Sequence, residues 1–296
     1  MNNLKKTKNV VIGGSGFIGE GLCLALKNNG EIVVNLSRGK SDKLNEIEQV
    51  TLNINDQNKL IEYLRGATDV FILVGQINKN FRKSEEMDNL KIIVNSIDYF
   101  SIKRIFYFSS TLIYGNTTSL VDEETNPSPI DEYSGFKVES EEFLKNAFQK
   151  KDVALIILRL SNVYGGIKNK GFIGLILNNI SKGLENRIKL NGNGLQTRDY
   201  IYLGDVIDAV ISIKKSATKS DLINISSGKN YSLLDVVKNI SIVTGKKIDY
   251  EISGDNFDQI ESNLISNKKL SSKYGFVPRY DLVDGLKITF EKYKNY

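Results

Sequence analysis

Near its start the chain runs from a short apolar segment straight into three spaced glycines, Lys8-Asn-Val-Val-Ile-Gly13-Gly14-Ser15-Gly16-Phe17-Ile18-Gly19. The apolar run reads as a buried strand, and the following Glu20-Gly-Leu-Cys-Leu-Ala-Leu-Lys27 reads as a helix. A glycine turn between them lets backbone N–H groups approach a pyrophosphate at the helix N-terminus, where the macrodipole favours negative charge. Gly14-x-Gly16-x-x-Gly19 and Gly13-x-x-Gly16-x-x-Gly19 both fit, and the flanking strand and helix turn a weak motif into a specific one. A secretory leader would share the basic Lys5, Lys6 and Lys8, but five glycines (13, 14, 16, 19 and 21) and Glu20 interrupt its apolar core.

With 296 residues the chain has room for one large domain or two unequal lobes. No uninterrupted apolar run is long enough to span a bilayer, so no membrane partner is expected. The net charge of +5 is spread along the sequence without a basic block, which argues against nucleic acid. A single cysteine, Cys23, excludes an internal disulfide and falls on the apolar side of the first helix; with no leader, the expected compartment is the cytoplasm. The chain has no histidine, which removes Ser-His-Asp hydrolysis and the usual His-containing zinc sites. No metal is expected, and proton transfer falls to Tyr, Lys, Asp, Glu or Ser.

Strand patterns at 10–12, 32–36, 49–52, 69–74, 104–109 and 153–159 alternate with helical stretches that include Ser84–Phe100 and Tyr133–Lys150. Such alternation implies an α/β fold, a Rossmann-type doubly wound parallel sheet with ligands beyond the carboxyl ends of its strands. After Gly165 the alternation loosens into a loop and helix, a turn cluster at Asn191–Gly194, and a strand entering a helix at Arg198–Val206. A strand at Leu222–Ser226, helices at Ser232–Thr244 and Leu282–Tyr293, and a strand at Lys247–Ile252 complete the pattern. The expected division is a dinucleotide-binding domain over 1–165, with 192–215 returning to it, and a smaller C-terminal α/β substrate-binding lobe from 166–191 and 216–296.

Within the alternation, Arg104-Ile-Phe-Tyr-Phe-Ser109-Ser110-Thr111 is a buried strand ending in hydroxyls, and Tyr133-Ser-Gly-Phe-Lys137 follows about one element later. Tyr and Lys four apart on a helix share a face. A free tyrosine titrates near pH ~10, so acid–base work at neutrality calls for roughly 4 kcal/mol of phenolate stabilisation. A neighbouring ammonium supplies stabilisation of that sign. Tyr99/Lys103 and Tyr164/Lys168 have the same spacing, but only Tyr133/Lys137 opens a helix just after the strand-end serines.

Taken in order, these pieces resemble the extended short-chain dehydrogenase/reductase family, in its NAD-dependent epimerase/dehydratase branch that modifies sugar nucleotides. The matching set is the glycine turn, Ser109-Ser110-x-x-x-Tyr114-Gly115, Tyr133–Lys137, Leu158-Arg-Leu-Ser-Asn162-Val-Tyr-Gly165, Arg198-Asp-Tyr-Ile-Tyr-Leu-Gly-Asp205 and Tyr274-Gly-Phe-Val-Pro278. The resemblance implies Tyr133 as general acid/base, Ser110 as hydrogen-bond partner of the substrate oxygen, and Lys137 as the group that lowers the phenol and holds the nicotinamide ribose. It places the cofactor against Gly13, Gly16, Phe17, Ile18, Gly19, Ser37, Arg38, Asn53, Ile54, Val74 and Gly75, besides Tyr133 and Lys137. Substrate contacts carry over to Gln76, Thr111, Asn162 and Arg198; Asn162 has a turn-fixing role as its alternative, and Arg198 an ion pair with Asp199 or Asp205. Asp205 itself reads as structural, a helix cap. A homodimer packed through the helices at 84–100 and 133–150 is the family's habit.

The chain departs from the family pattern in four places. The second strand ends in Val33-Val-Asn-Leu-Ser37-Arg38-Gly39-Lys40 without the carboxylate that NAD binders carry, so NADP is favoured over NAD. Thr111-Leu112 stands where the 4,6-dehydratases have Asp-Glu, which argues against dehydration. Ile72-Leu73-Val74-Gly75-Gln76 replaces the usual His-Leu-Ala-Ala loop, and the second arginine of the C-terminal lobe is missing from Gly254–Glu261. The expected activity is an NADP-dependent reductase of a nucleotide-activated 4-keto-deoxysugar. An NAD-dependent 4-epimerase is the alternative, and a non-catalytic dinucleotide-binding redox sensor the third.

Overall fold

A computed structural model describes residues 7–75, 81–184, 187–253 and 261–295. The chain divides into two compact units that interleave in sequence. One comprises Met1–Ser110, Asp131–Arg159 and Ile213–Ile223; the other comprises Thr111–Ile130, Leu160–Ser212 and Asn224–Tyr296.

In chain order the elements are β1 (Lys8–Ile12), α1 (Phe17–Asn28), β2 (Ile32–Ser37), β3 (Glu48–Thr51), α2 (Gln57–Leu64), β4 (Asp69–Ile72), α3 (Lys83–Asn95), β5 (Arg104–Ser110), α4 (Glu132–Phe148) and β6 (Ala154–Leu160). There follow β7 (Asn162–Tyr164), α5 (Phe172–Ser181), β8 (Arg187–Leu190), β9 (Thr197–Tyr202), α6 (Leu203–Ser216), β10 (Asp221–Ile225), β11 (Asn230–Ser232), α7 (Leu233–Thr244), β12 (Asp249–Ile252), α8 (Lys268–Tyr274) and α9 (Leu282–Lys294).

The first unit is built on a seven-stranded sheet in the order β10-β6-β5-β4-β1-β2-β3. Strands β3 to β5 pair in parallel, in registers such as Val10↔Val34 and Val10↔Val70. Because the sheet is covered on both faces, its strands are apolar throughout: β4 is buried along its whole length, and β1 at every residue but its first. One core joins Val10, Ile12, Val34, Leu36, Val70, Ile72, Ile105 and Tyr107 to residues of α2, α3 and α4. Strand order reverses between β1 and β4, the crevice where such sheets bind ligands.

A buried charge cluster closes the opposite, amino-terminal edge. Arg104 opens β5 beside Asp69, which opens β4, and grips it with Nε at 2.7 Å and Nη2 at 2.6 Å. Lys214 adds bonds to Asp69 at 3.2 Å and to Glu31 at 2.5 Å. Asp69 and Lys214 are both buried, and their charges are compensated at contact distance.

The second unit holds a three-stranded sheet, β11-β9-β7, and a parallel pair, β12-β8. Its core packs Tyr164, Ile176, Leu177, Tyr200, Tyr202, Val236, Ile240, Leu286 and Phe290. A Ser232/Asp235 capping box starts α7, and Gly245 ends it in the left-handed conformation.

The structure corrects the expected division in two ways. The strand at 222–226, placed by sequence order in the smaller lobe, is β10, the edge of the large sheet. Residues 111–130 and 160–165 join the second unit, and 213–223 are the segment that returns to the first. Local periodicity identifies a strand but not the sheet it joins.

Candidate active site

The turn after β1 is shaped by close backbone approach. Gly13 has φ +92°, and a Cβ on Gly19 would lie 2.4 Å from Gly13 O and 2.6 Å from Gly14 Cα. A Cβ on Gly14 would meet Asn35 Oδ1 at 2.5 Å and Cys23 Sγ at 2.8 Å. Side chains at these positions would push α1 away from the turn. The N-cap of α1, Gly16, offers no side chain to the helix start, which leaves Phe17 and Ile18 in a first turn whose N–H groups suit an anion. Cys23 is packed behind the turn, its thiol pushed up to about 12 by burial and then by Glu20, so it is a packing residue.

In front of the turn lies a cavity of about 680 Å³ at the carboxyl ends of β1 to β4. Of the residues assigned to the cofactor by resemblance, Gly13, Gly16, Ser37, Arg38, Asn53, Ile54, Val74 and Gly75 line it, whereas Phe17, Ile18, Gly19, Tyr133 and Lys137 do not. Glycines that allow close approach at a helix N-terminus, with a long cleft beside them, fit a dinucleotide. Ser37 is already engaged: its hydroxyl donates to Asn35 Oδ1 at 2.7 Å and accepts from Ser15 N at 3.0 Å. Arg38 is exposed at the rim. Sequence reasoning missed Glu85, Glu86 and Asn89, on the first turns of α3, a helix considered only as a packing surface. The place of α3 straight after β4, at the strand-order reversal, was the available signal.

Helix α4 begins at a capping box in which Asp131 accepts from Ser134 N at 2.6 Å. This fixes Tyr133 in the first turn and Lys137 one turn later on the same face, with Nζ 5.7 Å from the Tyr133 ring centroid. Lys137 is buried and donates to Phe108 O at 2.9 Å, Val74 O at 3.3 Å and Tyr107 Oη at 3.3 Å. Gly75, at φ +86°, is where the cavity wall meets α4: a Cβ there would be 2.6 Å from the Phe136 ring and 3.3 Å from Lys137 Nζ. Burial brings Lys137 down to about 7, against the opposing pull of Glu86 and Glu141.

The Tyr133 phenol is pushed up, first by burial, then by Asp131 and Glu86. This departs from the expected lowering by Lys137, because burial of the phenol outweighs it and the two carboxylates act in the same sense as burial. Ser110 ends β5, buried. Its neighbour Ser109 donates to Glu141 at 2.6 Å, and Glu141 is held by Arg159 at 3.0 and 2.7 Å.

Thr111, Asn162 and Arg198 belong to the second unit. Thr111 is buried, and its carbonyl accepts from Asn263 at 3.4 Å. Asn162 donates to Asp199 O at 3.1 Å, a cross-link between β7 and β9. Arg198 pairs with neither proposed aspartate. Asp199 lies on the opposite face of β9 and accepts from Ser161, Ser227 N and Gly228 N, at 2.6, 2.9 and 2.7 Å. Asp205 accepts from Arg279 N and Tyr280 N at 3.1 and 3.0 Å, so it pins that loop rather than capping its own helix. Arg198 Nη1 donates to Thr197 O at 2.8 Å, and burial lowers its affinity for a proton. Gln76 lies outside the described residues. Among the described residues, no cluster could hold a metal ion and no helix is long and apolar enough to cross a membrane.

The model of the NAD dependent epimerase/dehydratase family matches residues 9–226, and the chain belongs to that family. It is thereby an enzyme of the extended short-chain dehydrogenase/reductase type, in a family described as NAD dependent. A Methanocaldococcus jannaschii protein assigned as a UDP-glucose 4-epimerase is 29% identical, over 97% of this chain and 98% of its own length. The dTDP-4-dehydro-6-deoxyglucose reductase of Escherichia coli is 23% identical, over 95% and 96%. Bacillus cereus UDP-glucuronic acid 4-epimerase, solved with UDP-glucuronic acid and NAD, has the same fold at a TM-score of 0.87, with 21% identity over 98% of this chain and 99% of that one.

Proposed function

We propose that the chain moves hydride at carbon 4 of a nucleotide-linked sugar, with Tyr133 transferring the proton, Lys137 as its electrostatic partner and Ser110 bonding the reacting oxygen. The reading rests on one juxtaposition: Lys137, one helical turn from Tyr133, reaches Val74 O in the wall of the glycine-turn cavity at 3.3 Å. When bound, the nicotinamide gives or takes the hydride.

Burial, Asp131 and Glu86 keep the Tyr133 phenol protonated. That is the form that delivers a proton to a carbonyl oxygen as the carbon is reduced. In the oxidative direction the Tyr133 oxygen, as phenolate, takes the proton that the sugar hydroxyl loses, and positive charge at Lys137 stabilises that phenolate. Ser110 orients the oxygen that gains or loses the proton. Arg198 and Asn162 carry over from the resemblance as substrate contacts, Arg198 as a charge partner for the diphosphate.

Redox-neutral 4-epimerisation with NAD is the leading reading, supported by the full-length relative of 29% identity and by the NAD-bound Bacillus cereus enzyme. A net 4-keto reductase drawing on NADPH is the second, favoured by Arg38 at the cavity rim and by the absence of a carboxylate at the end of β2. Elimination of water is disfavoured by Thr111-Leu112.

Incubation with UDP-glucose alone, and with NADPH plus a dTDP-4-keto-6-deoxy sugar, separates the two. The 4-epimer formed without added reductant marks an epimerase; stoichiometric NADPH consumption marks a reductase. Tyr133→Phe should remove either turnover while NADH binding persists, and turnover retained in that variant refutes the assignment. Arg38→Ala should weaken NADPH about tenfold and NADH less than twofold, the loss of a charged contact to one phosphate. Equal loss of both would remove Arg38 from cofactor choice.

A further inference from the structure

Of the three oxygens that hold Lys137, those of Phe108 and Val74 are backbone carbonyls, which any sequence supplies. The third is the hydroxyl of Tyr107, a side chain with no place in the site so far. Tyr107 lies in β5, fully buried, with its ring centroid 4.9 Å from Lys137 Nζ.

The direction of this contact follows from the two groups. A lysine ammonium has only protons to give, so Lys137 Nζ donates and the Tyr107 oxygen accepts at 3.3 Å. Ser140, on the same helix as Lys137, spends its own proton on Phe136 O at 2.7 Å. An acceptor held against the amine favours its charged form over the neutral one.

We propose that Tyr107 is a positioning residue that holds the Lys137 ammonium at the wall of the dinucleotide cavity. The inference rests on the reading of Lys137 given above. Other groups act on Lys137 from every side: Tyr133 and Glu141 on α4, Glu86 on α3, and the carbonyls at the ends of β4 and β5. Both carboxylates favour the ammonium, and burial opposes them. Tyr107→Phe keeps the ring, the packing and all of these groups, and removes only the acceptor.

The test is an NADH fluorescence titration between pH 5.5 and 9 on the parent, Tyr107→Phe and Lys137→Met. The parent should lose affinity through a midpoint near the value of about 7 at which Lys137 gives up its proton. Tyr107→Phe should bind as the parent does at the acid limit but with a midpoint about one pH unit lower, hence about fivefold more weakly at neutral pH. Lys137→Met should show no such midpoint. Parent and Tyr107→Phe midpoints that coincide, beside a flat Lys137→Met profile, overturn the role of Tyr107 alone. A midpoint that survives in Lys137→Met overturns the reading of Lys137 itself.

Discussion

Gly19→Ala adds one methyl group where the turn and the first helix touch backbone to backbone. The new carbon would start 2.4 Å from Gly13 O and 2.6 Å from Gly14 Cα, against an ordinary contact distance of at least 3.4 Å. Neither neighbour is the free end of a side chain, so α1 and the turn must separate by about 1 Å. Alanine in a helix gains about 1 kcal/mol over glycine, and forced overpacking costs about 1–3 kcal/mol. The net loss reaches about 2 kcal/mol, a fall in Tm of roughly 4–8 °C for a chain of this size. Binding suffers more than folding. Displacing the amides at the helix start by that distance removes one charge-assisted hydrogen bond to a phosphate, a loss of roughly 10–100-fold in NADH affinity. Gly135→Ala is the matched control, also a helical glycine, but with no atom within 4 Å of its added carbon. It should raise Tm by about 2–4 °C, through helix propensity alone. Thermal unfolding and NADH fluorescence titration measure both variants. If Gly19→Ala binds NADH within twofold of the parent and melts with it, close approach is not what selects glycine at this turn.

Two further outcomes follow from buried charge. Arg159→Met strips Glu141, which is 2% exposed, of its guanidinium partner, leaving Ser109 and a lysine at 3.9 Å. A loss of about 3–5 kcal/mol is expected, read as a Tm lowered by roughly 10 °C, and a change under 2 °C would show the pair to be dispensable. Lys137 is depressed from its ordinary value to about 7 in the folded chain, so between about pH 7 and 10.5 the unfolded chain binds the extra proton. Stability of the parent relative to Lys137→Met should therefore rise with pH across that window, by at most about 5 kcal/mol. Urea unfolding at pH 6.5 and 9.5 tests the sign, and a parent that loses ground at the higher pH contradicts the burial argument.

The glycine turn and the parallel sheet were legible because their signals are local: unbroken apolar runs of strand length and a turn that only glycine satisfies. The Tyr133/Lys137 pair was legible because four residues on a helix share a face and α4 starts where Asp131 caps it. What stayed hidden was carried by contacts distant in sequence. The packing that buries the Tyr133 phenol pushes it up, against the expected lowering, and Glu86 adds to this from a helix 47 positions upstream. Asp205 looked like a cap for its own helix, yet it binds the amides of Arg279 and Tyr280. The role of β10 as an edge strand follows from sheet order, which the composition of five residues does not encode.

The same sheet uses buried cations in opposite ways at its two ends, and the difference separates structural charge from functional charge. At the amino-terminal edge Arg104 and Lys214 meet Asp69 and Glu31 at contact distance, where truncating either partner would strand a buried charge. In the middle Arg159 and Glu141 compensate each other in the same manner. At the carboxyl edge Lys137 is held by three uncharged oxygens while Glu86 and Glu141 act on it from farther off. A lysine clasped by a carboxylate would keep its proton across the whole physiological range and would have its field cancelled at contact. Buried and left with neutral acceptors, Lys137 titrates near 7 at the cavity wall, where reaction chemistry needs a charge that can respond.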